Sequence, residues 1–336
     1  MRRRRVEQAI GETICHDMTS IQDGIKSVAF KRGHVIVESD IPILKRMGKS
    51  HIYVWDPNPD EIHEDEAGLA GAKALTGPGL VYDGPREGRY TITAAHDGLF
   101  TVNRAALRAF NAVPDYTAAT RPNHSPVKEG EVVAGIRIVP LVTARENVER
   151  VEAMTQILTL RPFAPLRTGI IITGNEVYDG LIQDCFEPVL RDKLAPYGAE
   201  ILSVTKCPDD QGAIVTAAED FLAQGAELLL FTGGMSVDPD DRTPSAIRAT
   251  GAEVIVQGIP VQPGNMLMLA YRGKTALIGV PTAAMGGRIT SLDIVLPRVF
   301  AGDELTPEDF ANLGEGGLCA TCERCTYPIC YFGRPL

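Results

Sequence analysis

The sequence predicts an α/β protein. A parallel sheet with helices on both faces is expected over residues 163–302, a smaller α+β accessory domain over 1–162, and a Cys-rich tail over 303–336. Three observations predict this. After Pro162–Pro165, short apolar runs alternate regularly with helix-length segments, the pattern of parallel strands joined by crossover helices. Three consecutive apolar runs end in acids, at Glu176, at Asp209/Asp210 and at Asp241. Four of the seven cysteines, Cys319, Cys322, Cys325 and Cys330, crowd the C-terminus.

Composition bounds the rest. A chain of 336 residues is long enough for roughly two domains, each with its own core. Hydrophobic residues make up 44% and charged residues 23%, the profile of an ordinary soluble globular protein. The net charge of -10 offers nothing to offset repulsion from a phosphate backbone, which argues against nucleic acid as a partner. Arg2 to Arg5 form a basic run with no apolar stretch behind it. They read as a solvated terminus, so neither secretion nor a membrane span is expected. Cys15, Cys185 and Cys207 are scattered single thiols, read as buried core residues, and a reducing, cytoplasmic compartment fits them.

In the first half, Ile10 to Ser20 reads as extended and Gly33 to Glu38 as a strand. Ser39 or Asp40 caps a helix that runs to about Met47 and ends at Gly48; His51 to Trp55 returns as a strand. Asp60 to Leu75 is a helix, acidic at its start as the macrodipole favours, and His63 beside Glu61 and Glu64 belongs to its solvated face. Arg89 to Asn103 reads as a hairpin turning at Asp97-Gly98, followed by a helix over 104–111 that Pro114 stops. Residues 114–130 read as loop, Glu131 to Thr143 as a strand broken by Pro140, and Glu146 to Leu158 as an amphipathic helix. The six histidines show no metal-ligand spacing.

In the second half, Thr168 to Thr173 is a strand, 179–195 a helix, 199–206 a strand and 211–224 a helix. Ala226 to Phe231 is a buried parallel strand. It leads into Thr232, Gly233, Gly234, Met235 and Ser236, a loop of mostly small residues whose amides can approach an anion closely. Asp238, Asp240 and Asp241 follow, and Thr243-Pro244 opens the next helix with Thr243 as its cap. Strands over 252–259, 266–271 and 275–280 and a helix over 283–300 complete the domain. In such a sheet the loops at the carboxyl ends of the strands share one edge, where ligands bind. Carboxylates beside a phosphate call for a cation between them. Glu176, Asp209 and Asp241 are therefore candidate catalytic groups and magnesium ligands. Phosphoryl or nucleotidyl transfer, or hydrolysis of a phosphoanhydride, is the chemistry this supports.

TGNE (173–176), CPDD (207–210) and TGGMSVDPDDRTP (232–244) resemble, in order and at the same strand ends, the molybdopterin-binding domain shared by molybdopterin adenylyltransferases, molybdopterin molybdotransferases and gephyrin. The resemblance covers about residues 166–300. Asp241, Thr243 and Pro244 match the adenylyltransferase branch; Glu176 with the Ser236-Val237 pair matches the molybdotransferases. It implies a crevice that holds molybdopterin, or its adenylylated form, with magnesium. Thr173, Gly174, Thr232, Gly233, Gly234, Met235, Ser236, Thr243, Pro263, Gly264 and Pro281 would line it. Two departures stand out. Gln262 to Met266 reads QPGNM where the molybdotransferase pattern has Lys-Pro-Gly-Lys-Pro, and Val280 to Met285 reads VPTAAM where it has a Pro-Gly-Asn-Pro segment. Only 36 residues follow Phe300, too few for the molybdotransferase C-terminal barrel.

The expected function is molybdenum cofactor biosynthesis, by molybdenum insertion or adenylyl transfer in the manner of a molybdotransferase. Two alternatives remain open. One is a non-catalytic carrier or chaperone that passes the cofactor to a molybdenum or tungsten enzyme; the other is a nucleotide pyrophosphatase of the competence-damage-inducible type. A homo-oligomer is expected. In the tail, Cys319-x2-Cys322-x2-Cys325-x4-Cys330 favours a metal over disulfides, with zinc or an iron–sulfur cluster both fitting, against a metal-free thiol-rich tail.

Overall fold

The computed structural model describes residues 1–22, 25–56, 58–236, 238 and 241–334. The chain divides into two compact units. The first comprises Met1–Ala95, Val102–Thr120 and Gly130–Thr159; the second comprises His96–Thr101, Arg121–Glu129 and Leu160–Leu336.

The first unit opens with β1 (Arg2–Arg5), β2 (Met18–Gln22), β3 (Ile25–Phe30), α1 (Ile41–Arg46) and β4 (His51–Val54). Val6, Ile14, Phe30, Ile36, Leu44 and Val54 form a small core of their own here. The basic run is solvated as expected, with only Arg4 half-buried, but it is not a loose end. It is a strand paired antiparallel with β4, from Arg2 against Val54 to Arg5 against His51. The guanidiniums of Arg2 and Arg4 both donate to Glu12 Oε1, at 3.0 and 3.2 Å, which offsets the repulsion along the strand. The strand expected over 33–38 is reduced to one bridge, Val35 to Thr13. Asp40 explains this: its carboxylate accepts from the Val37 amide at 2.9 Å and meets His34 Nε2 at 2.7 Å, bending the segment back.

Next come β5 (Glu61–His63), α2 (Glu64–Leu75), β6 (Leu80–Arg86), β7 (Arg89–Ala94), β8 (Gly98–Val102), α3 (Arg104–Asn111), β9 (Tyr116–Thr120), β10 (Ser125–Val127), β11 (Val132–Ile138), β12 (Val142–Ala144), α4 (Arg145–Glu152) and β13 (Leu158–Pro162). A four-stranded sheet, ordered β6-β7-β11-β9, is the centre of the unit. Helix α2 lies close against it because Gly71 faces Ile136, where a Cβ would come within 2.2 Å of the isoleucine Cδ1. The expected hairpin over 89–103 does not form. β7 turns back onto β6 through Glu87-Gly88, both at positive φ (56° and 67°), as a tight two-residue hairpin requires. β8 joins a separate sheet, ordered β10-β8-β13, most of whose residues belong to the second unit. Residues 114–130, expected as loop, supply β9 and β10. The helix expected over 146–158 stops at Glu152.

The second unit continues with β14 (Arg167–Thr173), α5 (Asn175–Tyr178), α6 (Phe186–Leu194), β15 (Glu200–Cys207), α7 (Gln211–Ala223), β16 (Leu228–Thr232), α8 (Thr243–Ala249), β17 (Glu253–Gln257), β18 (Met268–Arg272), β19 (Thr275–Val280), α9 (Ala283–Gly286), α10 (Ser291–Phe300) and α11 (Pro307–Ala311). One six-stranded sheet, ordered β15-β14-β16-β19-β18-β17, carries it. Residues of its strands alternate between two cores. Ile170, Ile172, Leu228 and Leu230 pack with α6 and α10; Ile171, Leu229 and Phe231 pack with α7 and α8. Helices therefore cover both faces.

The sheet is mixed, not wholly parallel. β15, β14, β16 and β19 run parallel, while β18 pairs antiparallel with both β19 and β17. The reason is the connection: only Gly273 and Lys274 separate β18 from β19, and a parallel crossover needs a dozen or so residues. Two helices are also shorter than expected. The carboxylate of Asp184 accepts from the amides of Phe186 and Glu187, both at 2.9 Å, and starts α6 there rather than at 179. Thr290 and Asp293 form a capping box that restarts the chain as α10 after α9.

The tail is packed. Phe310, Leu313 and Phe332 join the core beneath α10, and Gln262 exchanges backbone hydrogen bonds with Gly317 and Cys319, each 2.8 Å. Among the described residues, no helix is long and apolar enough to cross a membrane.

Candidate functional site

Strand register brings the candidate residues to one edge. Thr173 pairs with Cys207, Ile172 with Thr232, Thr232 with Val280, and Gly279 with Met268. The loops after β14, β15, β16 and β19 therefore open on the same side. So does the loop before β18, because that strand is reversed. The chain passes from β14 to β15 on one side, then crosses to β16 on the other. This makes β14/β16 the topological switch point, where open α/β sheets bind ligands.

At that switch the two strand ends are knitted together. Thr243 Oγ1 donates to the Gly233 carbonyl at 2.8 Å and lies 3.3 Å from Thr173 Oγ1. Thr243 is wholly buried and stands one residue inside α8, so it is not the helix cap; Arg242 occupies that position without a side-chain cap bond. Its hydroxyl serves the loop instead. Thr243→Val, which keeps the shape and removes the hydroxyl, is expected to cost about 1–3 kcal/mol by leaving a buried carbonyl short of a donor. Urea unfolding would measure it; an unchanged midpoint would show that the Gly233 carbonyl finds another partner.

Gly233 and Gly234 both have positive φ, 81° and 52°. A Cβ on Gly233 would stand 2.2 Å from the Thr173 carbonyl, so only glycine lets the loop pass this close to β14. Among the described residues no acceptor meets the amides of Gly234, Met235 or Ser236. Uncommitted amides in a positive-φ turn are a concavity suited to an oxyanion. Beneath it, the Thr232 hydroxyl is buried without a partner among the described residues. The Met235 side chain is core, lying against Gly279, where a Cβ would come within 2.5 Å of its Cε.

The acids are held differently. Asp209 Oδ2 accepts from the Asn175 amide at 3.1 Å, and Asn175 Oδ1 accepts from the Asp209 amide at 3.0 Å. This reciprocal clasp ties the loops after β14 and β15. Asn175, not singled out in the sequence, is legible in hindsight as the residue between Gly174 and Glu176. Glu176 is exposed and curls over Gly174, with Oε1 3.1 Å from where a Cβ would stand there. Asp241 Oδ2 accepts from the Asp238 amide at 3.0 Å and closes a turn. Val237 and Asp240 lie outside the described residues. Pro263 and Gly264 are fixed to the start of α10: the Ser291 amide donates to the Pro263 carbonyl at 3.1 Å, and its hydroxyl to that of Gly264 at 2.7 Å. Pro281 is buried and its carbonyl accepts from Ala284, opening α9.

Among the described residues, no three His, Cys, Asp or Glu side chains come together to hold an ion. Glu176, Asp209 and Asp241 thus share an edge without forming a magnesium cage. Cys319, Cys322, Cys325 and Cys330 are free, and among the described residues no three of them come together to hold an ion. Cys15 and Cys207 are buried, which pushes both thiols up from their ordinary pKa, whereas Cys185 is exposed, against expectation.

Residues 169–301 match a family described as "Probable molybdopterin binding domain", and residues 3–56 match a domain of unknown function, DUF8806. A molybdopterin molybdenumtransferase of Synechococcus elongatus is 31% identical over 116 residues, covering 32% of this chain and 29% of the relative. A CinA-like protein of Mycolicibacterium gilvum is 39% identical over 90 residues, covering 26% and 21%. The chain thus spans under a third of the curated relatives it matches. The crystal structure of the molybdopterin biosynthesis enzyme MoaB from Thermus thermophilus is 26% identical with a TM-score of 0.36, covering 40% of this chain and 91% of that one.

Proposed function

We propose, from a chain that carries a molybdopterin-binding domain over residues 169–301, that the protein binds molybdopterin or its adenylylated form at the β14/β16 edge and acts in molybdenum cofactor biosynthesis. The observation that carries this reading is the set of amides at Gly234, Met235 and Ser236 that no acceptor meets among the described residues, placed at the switch point of the sheet. These amides would hold the phosphate of the pterin, with Gly233 providing the close approach to β14 and Thr173, Gly174, Thr232 and Thr243 shaping the floor. Asp209, whose Oδ2 is occupied by Asn175, would orient a group entering between the first two loops. Glu176 and Asp241 would stand at the rim. Molybdenum is cargo in this reading, not a resident cofactor.

The Pro263–Gly264 loop bears on which step is served. Its carbonyls are bound by Ser291, and the flanking residues are Gln262 and Asn265, so it brings no cation to the phosphate. That favours holding and passing on the cofactor over inserting metal by its own groups. Equilibrium dialysis of the full chain against molybdopterin and its adenylylated form, without oxygen, is the test. Saturable binding of at least one is expected; binding of neither would overturn the reading. Adding molybdate to the bound adenylylated form separates the two roles. Release of AMP at each turnover identifies an insertase, and an intact complex identifies a carrier.

A further inference from the structure

The first unit contains a cleft of about 630 Å³ that the sequence did not announce. His63 and Glu64, expected on a solvated helix face, are 3% and 6% exposed. His63 uses both ring nitrogens. Nδ1 accepts from the Asp65 amide at 3.2 Å, and Nε2, 2.9 Å from the Cys15 carbonyl, must donate to it. That fixes a neutral tautomer at the start of α2. The 3.6 Å approach of Asp65 to Nδ1 is therefore no ion pair. Glu64 is different. It lines the cleft, and among the described residues its carboxyl has neither a hydrogen bond nor an ion pair.

Cations line the same cleft. Arg86, Arg89 and Arg137 stand opposite one another on the adjacent strands β6, β7 and β11, in register, and all three line the cleft. Like charges directly opposite in a sheet are destabilising. Arg86 has a partner in Asp83 at 3.3 Å, but among the described residues Arg89, Arg137 and the nearby Lys49 pair with no carboxylate. The acids here are largely committed. Asp65 takes Arg32 at 3.0 Å and the Gly88 amide at 3.1 Å, and Asp17 accepts from the Arg32 amide at 2.7 Å; Glu87 remains at the rim.

We infer that this cleft is a second small-molecule site, which takes the phosphate group of a ligand between Arg89, Arg137 and Lys49, beside the buried, unpartnered carboxyl of Glu64. The volume is in the usual range for small-molecule sites. Guanidiniums match a phosphate's oxygens in pairs, which explains why arginines face each other here. A carboxylate would repel the same phosphate, so the acid must be neutral when the ligand is bound. Burial first, and then the charge of Asp65, push Glu64 up to about 7, against which Arg137 pulls down. Glu87 raises it further and Arg32 lowers it. His16, also on the cleft, is depressed by burial and by Lys49, so it is neutral near pH 7.

Sulfate is a suitable probe, since its charge is constant over the range that matters. Titrating the full chain with sulfate between pH 6.5 and 8.5 should show one saturable site whose affinity falls as pH rises through about 7, because Glu64 must then be reprotonated. Glu64→Gln should keep the affinity and flatten the pH dependence. The double variant Arg89→Gln, Arg137→Gln changes two exposed side chains and should weaken binding at least tenfold with the melting temperature maintained. Inorganic phosphate should compete with sulfate at pH 7. Sulfate affinity unchanged in the double variant, or a pH dependence unchanged in Glu64→Gln, would overturn the proposal and place the anion elsewhere. Pterin binding by the second unit should be the same in both variants, so this test and the previous one fail independently.

Discussion

Gly233→Val is expected to abolish pterin binding and to lower the stability of the second unit. Holding a β-branched residue at a φ of 81° costs on the order of 1–3 kcal/mol in backbone strain alone. Steric contact costs more. A Cβ would stand 2.2 Å from the Thr173 carbonyl and 2.6 Å from its hydroxyl, and the carbonyl belongs to a central strand that cannot retreat. Relief requires the loop to lift, which breaks the 2.8 Å bond from Thr243 and scatters the amides beyond it. A loss of affinity of at least a hundredfold, read by equilibrium dialysis, is expected. Gly234→Ala should be milder, because its φ of 52° lies in the left-handed well and its nearest neighbour, Thr243 Oγ1 at 3.1 Å, is a side chain. Equal losses in the two variants would show that the glycines serve only flexibility.

Asp293→Ala should strongly destabilise the second unit. Asp293 closes the capping box of α10, accepting from the Thr290 amide at 2.7 Å, and both its oxygens meet Lys193 Nζ at 2.8 Å. The two side chains are only 10% and 14% exposed. Removing the carboxylate leaves the ammonium of Lys193 largely desolvated, and breaking such a pair costs about 3–5 kcal/mol. In a unit of this size that corresponds to a fall in melting temperature of roughly 6–20 °C. Because Ser291 of the same helix start holds the Pro263 and Gly264 carbonyls, the loop should loosen as well. Asp293→Asn retains an acceptor for the cap and should lose less. A fall under about 3 °C for the alanine variant would mean that Lys193 swings to solvent at no cost.

The second unit was legible in the sequence where local signals and tertiary demands coincide. Residues 168–173 and 228–232 are buried on both faces because helices cover both, and short apolar runs bounded by glycine suit a buried strand. The reversal of β18 was legible too: two residues between strands permit only an antiparallel return. The strand–helix alternation before it points instead to a parallel strand. In the first half of the chain, Asp97-Gly98 and Glu87-Gly88 are competing turn signals. Strand β8 found its partner in β10, which lies in a stretch rich in proline that carries little periodicity.

By itself the sequence determined the chemistry available at each strand end: glycines where backbones must pass closely, an acid after each of three strands, small residues between them. Those choices are local, since φ, charge and size belong to the residue and its immediate neighbours. Only the tertiary structure decided which of these groups act on each other. Asp209 is joined to Asn175, a residue 34 positions away, and Thr243 to Thr173, 70 positions away, because parallel register sets those loops side by side. The same holds for Glu64. Its neighbours in the chain are acidic and read as a wetted helix start. The arginines that line the cleft with it come from strands up to 73 positions further on, and the burial that pushes it up to about 7 is a property of the packed unit. Charge can be read along a chain, but the field around a charge is set by what folds against it.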